Sequence, residues 1–464
     1  MILFFSTLAF AADVPSLVFV GNSYIQNNNL HMVTTAMLGQ HTIGWEGVEN
    51  VALLGGGMAL SDHADRVLDD SSSWFTVFHE PHTFFILQDQ SQIPGFPQNT
   101  PYWQASISGL HSMQELIDIQ EANTMLMLTW GRKDGDTQNS VQYPDFETMQ
   151  DLLTEGYLSY SDQASTALST IYIAPVGPVF AEIKTQSQSD FESLYSGDGS
   201  HPSQVGTATA AMSLFAALTG RQVEGIPTDL STSQQLIISN AVHKVILEDV
   251  GDFPLPWIWT SAPVNGLIFD ERYRPLLRLS TDHSGDLNVQ DGRLWLEAGS
   301  LLGNVVVHDD SAFHIKGGSF TGDIEGDLYL EGGELNLRAS NGNIWQSGGT
   351  LTVSSRIVEV SGEMVLGTVN LDSRLDEGYL HANNIDERNI EVANPALLWE
   401  LVEASDGDTL HLYRGEDELP SENNERSVIH KDEKNDCAGT LPFTPLLLGL
   451  IAWKRRILYS KTTS

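Results

Sequence analysis

The run Gly197-Asp198-Gly199-Ser200-His201-Pro202-Ser203 sets an aspartate three residues before a histidine in a segment too rich in Gly, Ser and Pro for a helix or strand. An imidazole can act as general base, and a carboxylate beside it can fix its tautomer and steady the imidazolium. Such a pair needs a nucleophile. Residues 18–28, VFVGNSYIQNN, offer Ser23 at the end of an apolar run and just before a helix-like segment. A serine there has its hydroxyl clear of the sheet and its N–H near a helix N-terminus. Each piece also has a plainer reading. Ser23 alone reads as an N-cap, and the Asp-His segment alone as a turn with a surface histidine.

Other candidate groups point to no further chemistry. His31, His41, His63, His79, His82 and His111 are scattered without metal-ligand spacing, and Asp62-His63-Ala64-Asp65 reads as a solvated helix face. Gly55-Gly56-Gly57 follows the second strand-like run and lacks the Lys-Ser/Thr of a phosphate-binding loop. Neither a metal nor a cofactor is expected. Cys437 is the single cysteine, which excludes an intrachain disulfide and a cysteine-based metal cluster. With 61 Asp+Glu against 23 Lys+Arg, the net charge of −38 opposes nucleic acid and anionic lipid headgroups as partners. Neutral substrates are compatible with it.

The 464 residues leave room for two or three domains. Between residues 14 and about 260, strand-like runs (16–20, 48–54, 83–87, 123–130 and 170–176) alternate with helix-like ones. The helical segments are one that reaches about Gly39, then 105–121, 145–168 and 203–220, the last with Ser203 as N-cap and Gly220 as stop. This alternation predicts a parallel sheet covered on both faces over residues 13–260. From 265 to 400 the chain turns to short Gly-Asp-apolar-x-apolar units without helical periodicity. They suggest the rungs of a β-solenoid, with a jelly roll or sandwich as the alternative. Trp295, Tyr329 and Trp345 could stack on sugars there, although packing inside the rungs is the reading preferred. Residues 405–436 read as an acidic linker.

The two ends bear on location. Residues 1–12 carry an apolar run and a small-x-small site at Ala9-Phe10-Ala11, the pattern of an export signal; a buried first strand is the alternative. An uncharged stretch from Cys437 to Trp453 is followed by Lys454-Arg455-Arg456, so 437–456 reads as an anchor or sorting segment with a basic stop. It is similar to the MYXO-CTERM type, and a buried C-terminal helix is the alternative. The expected location is the cell surface or the extracellular medium, with any membrane contact made only by this segment.

Four blocks in order carry a family resemblance: VGNSY after the first strand, LLGGGMAL after the second, FFILQDQSQIP after the third, and LYSGDGSHPSQVG near the domain's end. LTWGR and IAPVGPVF add to it. Over roughly residues 16–220 the chain resembles the SGNH/GDSL hydrolases, in a branch written GNS. The resemblance implies a flavodoxin-like three-layer α/β/α domain and a Ser23, His201, Asp198 triad that cleaves acyl esters. It further implies an oxyanion hole built from the Ser23 N–H, the N–H of Gly57 or its neighbour Gly56, and a side-chain amide. The family's usual Gly-x-Asn-Asp is QDQS here, so Gln90 falls at the Asn position and Gln88 lies close by. Asn22 replaces the usual Asp at a position that orients the turn.

The expected function is that of a metal-independent serine esterase acting on small-molecule or polysaccharide O-acyl esters. Two alternatives remain: a lipase or lysophospholipase of the same family, and a non-catalytic glycan-binding or spacer protein at the cell surface.

Overall fold

The computed structural model describes residues 14–166, 169–222, 230–259, 274–309, 311–415 and 427–429. The expected export signal, the C-terminal anchor and part of the acidic linker lie outside them.

Five apolar runs form parallel strands: β1 (Ser16–Gly21), β2 (Glu49–Leu54), β3 (Phe84–Leu87), β4 (Asn123–Met127) and β5 (Ile171–Ala174). Their order in the sheet is β2-β1-β3-β4-β5. The connections are helical: α1 (Ser23–Gln26) and α2 (Leu30–His41) after β1, α3 (Leu60–Leu68) and α4 (Ser73–Val77) after β2, α5 (Pro101–Ile119) after β3 and α6 (Phe146–Ala164) after β4. Beyond β5 come α7 (Val176–Gln186), α8 (Gln188–Ser193), α9 (Gln204–Thr219) and α10 (Thr232–Val242).

Strand residues alternate between two cores. Leu17, Phe19, Phe84 and Ile86 pack with α2, α7 and α9, while Val18, Val20, Phe85 and Leu87 pack with α3, α5 and α6. A continuous apolar run is what a sheet buried on both faces requires. The result is the three-layer flavodoxin-like arrangement anticipated above.

Two local differences matter for the site. The helix expected to run unbroken to Gly39 stops after Gln26, because Asn28 and Asn29 adopt φ of 53° and 54°. Asparagine tolerates this left-handed region better than most residues. The strand expected over 123–130 ends at Met127, so Leu128-Thr129-Trp130 runs on past the end of the strand. The start and end of α9 match expectation: Ser203 Oγ accepts from Gly206 N at 3.1 Å, and Gly220 takes φ of 65°.

From Leu276 onward the chain winds into a β-solenoid of about six turns. Strands stack in parallel register, which excludes the jelly-roll and sandwich alternatives. Leu277, Leu294, Phe313, Leu328 and Ile344 follow one another up one inner face and are all fully buried. Trp295, His314, Tyr329 and Trp345 occupy the alternating outer positions. The expectation that Trp295, Tyr329 and Trp345 pack inside the rungs is thus corrected: strand alternation turns them out of the rungs, where Trp295 is buried against the α/β core and Tyr329 and Trp345 are half-buried. Tyr329 stacks on His314 at 4.7 Å and on Trp345 at 4.8 Å. Tyr329 therefore has no free ring face for a sugar.

The solenoid ends in an antiparallel cap. Asp408–Arg414, expected within the linker, instead pairs with Leu397–Glu403 and with the strand over Glu377–Asp386. His411 stacks on Tyr379 at 4.2 Å, and the inward Leu410 and Leu412 are buried. Contacts such as Arg293 Nη1 donating to Leu247 O at 2.8 Å join the solenoid to the α/β part.

His63 is not on a solvated face. It is fully buried and stacks on Trp74 at 5.0 Å. Leu60, His63, Ala64 and Val67 form the inner stripe of α3. Burial pushes the imidazole down to about 4, with the Arg66 charge adding to that and Asp62 opposing it. The unfolded chain, with an ordinary value near 6.5, then takes up the proton first as pH falls. Stability is unaffected by this group above about pH 6.5 and declines between there and pH 4, by about 3 kcal/mol in all. Denaturant titrations across that range should show a shallower acid decline for His63→Leu than for the parent.

Candidate active site

β1 and β3 are neighbours although β2 intervenes in the chain, so the connections after them leave in opposite directions and open a crevice at the sheet's carboxyl edge. Ser23 stands there as the first residue of α1, where its N–H has no partner within the helix. Its Oγ lies 2.8 Å from His201 Nε2. His201 Nδ1 lies 2.5 Å from Asp198 Oδ2. The carboxylate makes Nδ1 the protonated nitrogen, which leaves Nε2 to accept the Ser23 hydroxyl proton.

Asp198 is well fixed. Its Oδ1 accepts from the N–H groups of Ser200 and His201, both at 2.9 Å, and from Ser196 Oγ at 3.0 Å. Desolvation works against its charge, but the hydrogen bonds from His201, Ser200 and Ser196 outweigh it and hold the carboxyl well below the usual range. It therefore stays ionised at neutral pH and well below it.

The carboxamide of Asn22 joins three of the four sequence blocks. Its Oδ1 accepts from Tyr24 N at 3.1 Å, and its Nδ2 donates to Met58 O at 3.1 Å and to Asp89 O at 3.3 Å. An aspartate could not make the last two bonds. The glycine turn is held from its other side by Gly55 N donating to Gly21 O at 3.0 Å. Gly56 and Gly57 are exposed, with nothing near where a side chain would stand, and Gly57 has a φ of 71°.

The two candidate glutamines differ. Gln88 is fully buried; its Oε1 accepts from Asn22 N at 3.0 Å and its Nε2 donates to Asp89 O. The expectation that Gln88 could serve an oxyanion is corrected by these partners, which turn its amide into the protein. A Cβ at position 21 would stand 2.6 Å from Gln88 Oε1, which accounts for Gly21. Gln90 is half-buried and bonds to Gln92, accepting from its N at 2.8 Å and donating to its Oε1 at 2.9 Å. One amide hydrogen of Gln90 remains for another acceptor.

Three contributors were not anticipated. Asp89 is buried, and its carboxylate accepts from Leu60 N, Gln90 N, Ser106 Oγ and Tyr160 OH, at 2.9, 2.7, 3.1 and 3.0 Å. It ties the start of α3 to the QDQS segment. Burial raises its carboxyl to about 6, against the pull of those four donors. Tyr24 and Trp130 pack beside the His201 loop, and the quoted runs GNSY and LTWGR contained them without a role.

No protein-family model matches the chain, and no curated protein matches it. Among solved structures it is similar to a protein from Slackia heliotrinireducens provisionally described as an SGNH hydrolase. The identity is 20%, the match covers 44% of this chain and 97% of that one, and the TM-score is 0.35. A catalytic variant of an acetylxylan esterase from Geobacillus stearothermophilus matches at 12% identity over 50% and 93% of the two chains, with a TM-score of 0.30. TesA matches at 13% identity over 43% and 96%, also with a TM-score of 0.30. The likeness is one of fold.

Replacing Asn22 by Asp would set a carboxylate against two carbonyl oxygens. Asn22→Asp should lower folding stability by roughly 1–3 kcal/mol in denaturant titration. Asn22→Ala, which removes the donors without adding a charge, should cost no more.

Proposed function

We propose that the chain is an exported serine esterase of the SGNH type, in the GNS branch, that hydrolyses O-acyl esters. The observation that carries the reading is the continuous relay from Ser23 Oγ through His201 to Asp198, at 2.8 and 2.5 Å. In this reading Ser23 attacks the acyl carbonyl while His201 takes its proton, and His201 then returns that proton to the leaving alcohol. Asp198 holds the imidazole in its working tautomer and stabilises it when charged. Water repeats the cycle on the acyl-enzyme and frees the acid.

The developing oxyanion would meet the N–H of Ser23, the N–H of Gly57 or Gly56, and the remaining amide hydrogen of Gln90. Each such donor is typically worth about 3 kcal/mol in the transition state.

The surroundings favour a small acyl group, acetyl above all, on a hydrophilic alcohol such as a carbohydrate. Asn27 and Asn28, Gly56 and Gly57, Gln90, and Arg132 stand in the segments that follow β1, β2, β3 and β4. Among the described residues, the large apolar side chains that are exposed, such as Met32, Ile43 and Tyr102, stand outside segments 22–28, 55–58, 88–92 and 196–201. A lipase would need an apolar wall there for a long chain. Export through residues 1–12 and retention at the surface through 437–456 complete the reading.

Hydrolysis of p-nitrophenyl acetate by the full chain, beside Ser23→Ala and His201→Ala, is the direct test. The parent should turn over, and each variant should lose about a thousandfold or more in kcat. A folded parent inert on this ester and on acetylated polysaccharides would sink the esterase reading in favour of a glycan-binding one.

A further inference from the structure

We propose that Tyr24 and Trp130 form an aromatic clamp that sets the position of His201 against Ser23, so that both are positioning residues of the site. The proposal rests on the esterase reading for its kinetic consequence, but not for its structural one.

The two rings converge on Ser200, the residue between Gly199 and His201. Tyr24 OH lies 2.8 Å from Ser200 Oγ, and Trp130 Nε1 donates to Ser200 O at 3.0 Å. One bond uses the side chain and the other the backbone, so together they fix both the place and the orientation of this peptide. Its next residue carries the imidazole. The Tyr24 ring also meets the His201 ring edge-on, with centroids 5.6 Å apart.

The clamp is rigid because its rings are stacked. Trp130 is fully buried between Tyr24 at 4.7 Å and 3° and Phe180 at 4.7 Å and 6°. Phe180 belongs to α7, so the stack runs from the interior of the α7–α9 layer out to the site. Two further bonds hold the Trp130 segment to the same loop and its approach: Lys133 N donates to Gly199 O at 2.8 Å, and Tyr195 OH donates to Gly131 O at 2.7 Å.

The chain needs such a device. Asp198 and His201 are bound to each other within one exposed turn and would move together if that turn shifted. Nothing in their mutual bond sets the distance to Ser23, which lies 178 residues away in sequence. Tyr24 is covalently next to Ser23 and bonded to Ser200, so it gauges that distance directly. A displacement of about 1 Å between reacting groups can cost on the order of a hundredfold in rate.

The test uses the full chain with Tyr24→Phe, Trp130→Phe, Ser200→Ala and the Tyr24→Phe/Ser200→Ala pair. Tyr24→Phe and Ser200→Ala leave the packing in place, so their melting temperatures should stay within a few degrees of the parent, while Trp130→Phe also leaves a gap in the stack and should melt lower but still fold. Tyr24→Phe and Trp130→Phe should lower kcat about ten- to a hundredfold on p-nitrophenyl acetate, with KM within twofold. Ser200→Ala should lower kcat in the same direction as Tyr24→Phe, and the pair should lose less than the two single losses combined, since both remove the Tyr24–Ser200 bond.

A second readout does not depend on turnover. Crystal structures of the parent, Tyr24→Phe and Trp130→Phe report the Ser23–His201 separation directly. The parent should keep Ser23 Oγ within hydrogen-bond reach of His201 Nε2, and the variants should show it beyond that reach with the Asp198–His201 bond intact. A parent that fails to hydrolyse esters, or to react with a fluorophosphonate at Ser23, would end the esterase reading, while a wider separation in the variants would still uphold the clamp. Variants that fold and keep the parent's separation overturn it, as do active variants with an unchanged kcat.

Discussion

Parallel strands all finish on one edge of a sheet, and the candidate site depends on that. A strand-end loop can carry a chemical group at little cost to the core, because the strand behind it is already buried and ordered. In this chain β1, β2 and β3 end side by side, and the loops that follow them carry Ser23, the glycine turn and the QDQS segment. The order reverses between β1 and β3, which keeps the two connections apart and leaves a crevice between them. The His201 loop comes from much later in the chain and reaches the same edge because α9 is buried along nearly its whole length.

This edge must be held in register from several sides. The carboxamide of Asn22 bonds to Met58 O and Asp89 O, and the buried carboxylate of Asp89 bonds to Leu60 N and Gln90 N. Each uses a side chain with no reacting role to fix backbone that stands close to one. Burying Asp89 is unfavourable for its charge, and four donors offset that. The arrangement places cost in the interior, where partners are fixed, and leaves Gly56, Gly57 and the Ser23 N–H without competing contacts from the described residues.

How much of this was legible depended on whether chemistry or packing chose the residue. Ser23, Asp198 and His201 could be read because few side-chain types suit a hydroxyl–imidazole–carboxylate relay, and because an Asp-x-x-His turn lies within one short segment. The five strands could be read because a doubly buried sheet writes itself as unbroken apolar runs. The solenoid was readable as a class but not as a period, since one turn takes from 15 residues (Phe313 to Leu328) to 23 (Val369 to Val392). Loops between rungs absorb that variation without disturbing the inward leucines, so the alternation holds while the spacing varies. His63 was misread because polar neighbours Asp62 and Asp65 coloured the whole segment. The stripe 60, 63, 64, 67 at helical spacing was the signal that it faced inward.

The choice between Gln88 and Gln90 shows where sequence reasoning stops. Both residues carry the same amide, two positions apart, on the same strand-end segment. Strand alternation alone sends both to the same side. What separates them is a partner 66 residues earlier: Asn22 N bonds Gln88 Oε1 and draws that side chain inward. Gly21 is needed for the same contact, because any side chain at that position would collide with the amide. Gln90 lies just past this contact, where the chain bends, and its amide meets only its neighbour Gln92. A side chain's role here is decided by which backbone groups remain unsatisfied around it, and that accounting closes only in three dimensions.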